Sequence, residues 1–105
     1  MRKAFIVAGK RTPIGAFMGS LSTVKATELG AIAARATLDQ VGFKGGELDE
    51  IILGNVIAAG LGQNPARQVS IGAKIPIDVP NLLINKVCAS GLKATALGSL
   101  NIKAG

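Results

Sequence analysis

The sequence predicts an α/β protein whose strands and helices alternate as β-α-β-α-β-α around a mostly parallel sheet. Three observations predict it. Short apolar runs of strand character alternate with longer runs of helical period. Glycine and proline mark the boundaries between them. With 14 Gly and no Trp or Tyr, the core must be built from small and aliphatic side chains, which let layers approach closely.

Taken in order, Lys3 to Ala8 reads as a short buried strand, with Phe5, Ile6 and Val7 apolar together. Gly9 to Ser22 contains Pro13, Gly15 and Gly19 and reads as loop, with Ile14, Phe17, Met18 and Leu21 expected to pack down. Ala26 to Val41 reads as a helix. Leu29, Ile32, Ala33 and Ala36 form its apolar stripe, Glu28 suits its first turn, and Gly42 ends it. Ile51 to Ile57 is a second strand, interrupted by Gly54 and Asn55.

Ala58 to Asn64 is a glycine-rich loop. Asn64 then caps a short helix that opens at Pro65 and runs to about Ala73. Asn81 to Val87 is a third strand with Cys88 at its end. Ala89 to Ala104 is a third helix, with Leu92, Ala96, Leu97 and Leu100 expected to face inward. Crossovers between parallel strands should be right-handed.

Composition excludes several function classes. Hydrophobic residues make up 49% of the 105-residue chain and mean hydropathy is +0.44, apolar enough for a core element cut from something larger. Twelve Lys+Arg against six Asp+Glu give a net charge of +6. The basic residues are scattered and no aromatics interleave them, so a nucleic-acid partner is not expected. A solvated basic surface and the steering of an anionic substrate both fit. No apolar run approaches the roughly 20 residues that cross a bilayer, and the N-terminus has no signal-peptide h-region, so no membrane partner is expected. A lone thiol suits a reducing compartment and the cytoplasm is the expected one, with mitochondrion and peroxisome as alternatives.

The segment from Ile84 to Leu92 carries the chemistry. A strand delivers Cys88 and a helix begins just after it. A helix N-terminus offers unpaired N–H groups and a positive partial charge, both of which favour a thiolate and a developing oxyanion. Ala89, Ser90 and Gly91 keep the approach open. From spacing alone, a nucleophile and a buried packing thiol both fit. A redox pair has no second Cys and a metal site no His, so no metal is expected.

Other motifs are weaker. Gly60 to Arg67 lacks the Gly-Lys-Ser/Thr ending of a phosphate loop. Asn64 and Arg67 are expected to fix that loop by hydrogen bonds and ion pairs. Asp49 and Glu50 point to opposite sides of a solvated turn. Asn85 and Lys86 are expected to have backbone roles.

Three blocks carry a resemblance. Asn85-Lys86-Val87-Cys88-Ala89-Ser90-Gly91-Leu92-Lys93-Ala94 resembles the acyl-enzyme segment of the thiolase family, of the acetyl-CoA C-acetyltransferase type. Arg11 to Leu21 resembles that family's opening segment. Gly54-Asn55-Val56 with Gly60 to Gln68 resembles its second-strand and loop segment. Thr95 stands where thiolases tend to have an aliphatic residue, which bears on packing of the third helix.

The resemblance implies a thiolase-like layered fold, with residues 1–105 as part of an N-terminal domain and a second, similar half outside them. It implies acyl transfer between coenzyme A thioesters through an acyl-Cys88 intermediate, with the Cys88 N–H as an oxyanion donor. Coenzyme A thioesters are then substrates, no bound cofactor is expected, and the residues that bind coenzyme A lie outside this segment. The full-length parent is expected to be a homo-oligomer, a dimer or tetramer, with Asn85 and Lys86 near its dimer contact. The family's activating His and second Cys are absent here, so residues 1–105 alone are expected to be inactive. Two rivals stay open: a decarboxylating ketoacyl synthase on the same fold, and a non-catalytic truncated module.

Overall fold

A computed structural model describes residues 1–105. The first regular element is helix α1, Ala26–Gln40. Glu28 lies in its first turn, where a carboxylate meets the positive helix end. It ends as the sequence requires. Gly42 adopts φ +74°, and the N–H groups of Gly42 and Phe43 return to the carbonyls of Asp39 and Leu38. That pattern satisfies carbonyls the helix would leave open.

Strand β1, Ile51–Gly54, pairs in parallel with strand β2, Asn81–Ile84, in the register Ile51 to Asn81 and Gly54 to Ile84. Helix α2, Pro65–Gly72, lies in the crossover between them. Pro65 needs no N–H partner at a helix start, and the Asn64 side chain accepts from the Arg67 N–H as cap. The same closing turn that ends α1 ends α2, but with Lys74 at φ 58° in place of glycine. Helix α3, Ser90–Ala104, follows β2 and packs on β1.

The fold class holds as an α/β arrangement with parallel pairing. Its first strand does not. Lys3–Ala8 forms no ladder, and Phe5, Ile6 and Val7 are 75%, 87% and 68% exposed. A strand is defined by its neighbour, and no segment of this chain pairs with that run. The sheet therefore has two strands. Ile14, Phe17 and Met18, expected to pack down, are also exposed. The outer ends of both strands are shorter than their apolar runs, at Gly54 and Ile84 rather than Ile57 and Val87.

The core lies where α1, α2 and the ends of the strands meet. Ala31, Ala73, Ile75 and Val79 form its buried cluster, flanked by Ala34, Leu38, Leu48 and Ile51. This corrects the expected face of α1. Ile32 is 60% exposed, while Gly30 and Ala31 make the contact. The reason is steric. A Cβ on Gly30 would lie 2.7 Å from Val69 Cγ2, and one on Gly72 would lie 2.9 Å from Ala31 Cβ. The helices meet along their smallest residues because only those admit so close an approach.

The inward face of α3 shifts in the same way. Ser90 and Ala94 are buried, whereas Leu92 and Leu100 are 75% and 56% exposed. Arg35 ties the helix ends together. Its Nε pairs with Asp39 at 2.9 Å, and its guanidinium also donates to the carbonyls of Phe43 and Ala73.

Two stability changes follow. Gly30→Ala forces a methyl group into Val69 and is expected to destabilise by about 1–3 kcal/mol in urea unfolding. Combining it with Val69→Ala should cost less than the sum of the two single changes, because the cavity receives the methyl. Lys74→Gly removes a side chain from a left-handed position and should raise stability by about 0.5–1 kcal/mol in the same assay.

Candidate active site

The segment from Ile84 to Ser90 turns the chain from β2 into α3 in five residues, Asn85 to Ala89. Cys88 stands in this turn, two residues before the helix begins, and it is exposed. Four contacts shape the turn. The Asn85 side-chain oxygen accepts from the Val87 N–H at 2.8 Å. The Ser90 hydroxyl accepts from the Lys86 N–H at 2.9 Å and donates to the Val87 carbonyl at 2.6 Å. The Asn85 amide donates to the Val56 carbonyl at 3.1 Å, anchoring the turn to the loop after β1.

Val87, immediately before the thiol, has φ 47°. A β-branched residue is a genuine outlier there, since its side chain crowds the backbone. Asn85 and Ser90 hold the peptide groups on either side of it.

The floor of the turn is Gly54, the last residue of β1. A Cβ there would run into the Ser90 carbonyl carbon and lie 2.6 Å from the Gly91 nitrogen. Both contacts are with backbone, which cannot swing aside. Glycine at this position lets α3 begin directly against the sheet. Asn55 carries the ladder one bond further, donating to the Ile84 carbonyl at 3.0 Å, so the two strand ends stay level.

Electrostatics at the helix start are one-sided. The first turn of α3 has no acidic residue, so its positive end is not neutralised locally. No oxygen of the chain accepts from the N–H groups of Cys88, Gly91 or Leu92. They remain donors at the same helix end as the thiol. Such a site can hold a negative oxygen next to sulfur. An open groove of about 1030 Å³ between β1 and α3 reaches Gly54 and Gly91 but not Cys88.

The remaining sequence candidates have structural roles. Asn64 donates to the Asn81 carbonyl at 3.3 Å, and Arg67 donates to the Val79 carbonyl at 3.4 Å. The ion pair expected of Arg67 is absent, because the one partner of its guanidinium is the Val79 backbone carbonyl; the ion pair of the chain is Arg35 with Asp39. Glu50 is tied to the far end of α3 by Asn101 at 3.0 Å, while Asp49 is exposed. Lys86 contributes its backbone to the turn.

Sequence reasoning missed Gln68. Its amide donates to the carbonyls of Leu61 at 2.6 Å and Gln63 at 2.8 Å, closing the glycine-rich loop onto α2. A polar residue just inside a helix that follows such a loop was the available signal.

Gly54→Ala sets the Ala methyl against rigid backbone. It should destabilise by about 3 kcal/mol, the upper part of the overpacking range, read as a fall in urea midpoint. Gly91→Ala, with open space around its Cβ, should be far milder.

Comparison with known proteins fits this geometry. The family described as "Thiolase, N-terminal domain" matches residues 4–105. The chain is 51% identical over 105 residues to an acetyl-CoA acetyltransferase of Pseudomonas aeruginosa, covering 100% of this chain and 27% of that protein. It is 48% identical over 101 residues to a cytosolic acetyl-CoA acetyltransferase of Gibberella zeae, covering 96% and 26%. It is 45% identical over 105 residues to a mitochondrial acetyl-CoA acetyltransferase of Xenopus tropicalis, covering 100% and 25%. The chain thus spans about a quarter of the length of these relatives. On the family match across nearly all its residues, the chain belongs to the thiolase family, and its match lies within the family's N-terminal domain.

Proposed function

We propose that the protein carrying this chain transfers acyl groups between coenzyme A thioesters, with Cys88 as the residue that takes the acyl group. One observation supports this most directly. An exposed thiol stands two residues before a helix with no acid in its first turn, and the backbone N–H groups of Cys88, Gly91 and Leu92 have no acceptor in the chain. The names of the relatives supply the acetyl group and its carrier.

The Cys88 thiolate attacks the carbonyl carbon of acetyl-CoA. A new C–S bond forms, the oxyanion is held by backbone N–H groups, and the bond to coenzyme A breaks. The departing thiolate takes up a proton. A second acetyl-CoA, deprotonated at its α-carbon, then attacks the acetyl-Cys88 carbonyl and releases the cysteine. Acetoacetyl-CoA is the product, and thiolysis is the reverse. Splitting the condensation in two lowers each barrier.

This chain has no His and only one Cys. The proton acceptor for each step comes from the second half of the protein, which the thiolase resemblance expects to supply a His and another Cys. Residues 1–105 are the nucleophile-bearing part of a two-half catalytic unit and should show no turnover alone. No bound cofactor is needed, since the thioester carries its own activation. We place the assembled enzyme as a homo-oligomer, dimer or tetramer, in a reducing compartment such as the cytoplasm.

The test is acetyl transfer in the full-length protein. Incubation with acetyl-CoA should add one acetyl group to Cys88, located by peptide mass spectrometry. Cys88→Ala should lower acetoacetyl-CoA thiolysis on the order of 10³-fold or more. An acetyl group found elsewhere, or activity surviving in Cys88→Ala, would overturn the reading.

A further inference from the structure

We infer that Asn85 and Ser90 are positioning residues that hold Val87 in its left-handed conformation and thereby aim Cys88. The inference rests on the acyl-transfer reading above and adds to it the device that sets the nucleophile's direction.

The backbone of Val87 determines where the next residue points. At φ 47° it occupies a region that β-branched residues avoid, so the turn would relax to another conformation if left free. It is held on both sides. Its N–H is fixed by Asn85 Oδ1 at 2.8 Å, and its carbonyl by Ser90 Oγ at 2.6 Å and the Ser90 N–H at 3.1 Å. Ser90 Oγ also receives the Lys86 N–H at 2.9 Å, so one hydroxyl spans both peptide groups that flank residues 86 and 87.

The holders are themselves fixed. Ser90 is 3% exposed and its backbone lies against Gly54. Asn85 is tied to Val56 through its amide. The turn is therefore referenced to the end of β1 and the loop that follows it. Neither side chain needs to touch an acyl group to act, and only loss of aim should follow from their removal.

The experiment measures single-turnover acetylation of Cys88 by acetyl-CoA in the full-length protein, with quench and mass spectrometry. Ser90→Ala and Asn85→Ala should each slow acetylation about 10- to 100-fold, with the half-saturating acetyl-CoA concentration within about twofold, as misplacement of a reacting group does. Asn85→Ser keeps an oxygen that can accept from the N–H two residues on, and should recover most of the Asn85→Ala loss. Val87→Gly should act as a partial suppressor. Glycine adopts positive φ without strain, so Val87→Gly with Ser90→Ala should acetylate at least about threefold faster than Ser90→Ala alone.

Wild-type rates in folded Ser90→Ala and Asn85→Ala would overturn this inference alone. So would a double variant slower than Ser90→Ala, or Asn85→Ser as slow as Asn85→Ala. If Ser90→Ala fails to fold, the comparison of Asn85→Ala with Asn85→Ser decides the matter. A wild-type protein that takes no acetyl group at Cys88 overturns the acyl-transfer reading and this inference with it.

Discussion

The contact on which the rest depends is that of Gly54 with the backbone of Ser90 and Gly91. It sets the end of the sheet directly beneath the start of α3. Everything about the thiol's surroundings is referenced to that contact. The five-residue turn is short because α3 can begin so close to β1. The N–H groups of Gly91 and Leu92 stand free within four residues of Cys88 because the helix starts there and not a turn later. A side chain at position 54 would separate the layers and loosen all of this together.

The same logic governs the other helix contact. Gly30, Ala31, Gly72 and Ala73 let α1 and α2 approach until Val69 is fully enclosed. Small residues contribute little apolar area each, about 25 cal/mol for every Å² buried, so they do not drive burial as leucines would. Their contribution is geometric. They allow backbones to come close enough for the dispersion contacts of a dense interior. Polar ties then fix what packing has brought near: Arg35 across two helix ends, and Gln68 across the glycine-rich loop.

This explains which parts of the molecule could be read from the sequence. The helices at residues 26–40, 65–72 and 90–104 were legible because Pro65, Asn64 and Gly42 act through local chemistry that does not depend on partners. The placement of Cys88 between a strand and a helix was legible for the same reason. The buried faces of α1 and α3 were not. Apolar periodicity favours Ile32 and Leu92, while the structure sets Gly30 against Val69 and buries Ala31, Ser90 and Ala94. The run Phe5-Ile6-Val7 has strand character, but pairing is a property of two segments and here the second is lacking. Nothing in a valine announces a positive φ, so the strained turn before the thiol is not legible in the sequence. What the proposed acyl transfer would use is in part legible, the sulfur and the helix behind it, and in part not, the hydrogen bonds that hold the turn before it.

Ser90 has two duties at once, as the first residue of α3 and as the hydroxyl that secures the turn before it. Helix ends open more readily than helix middles, at free-energy costs well below that of global unfolding. Each such opening at this end releases the grip on residues 86 and 87. On the acyl-transfer reading, warming would loosen the turn that carries Cys88 in advance of any collapse of the core.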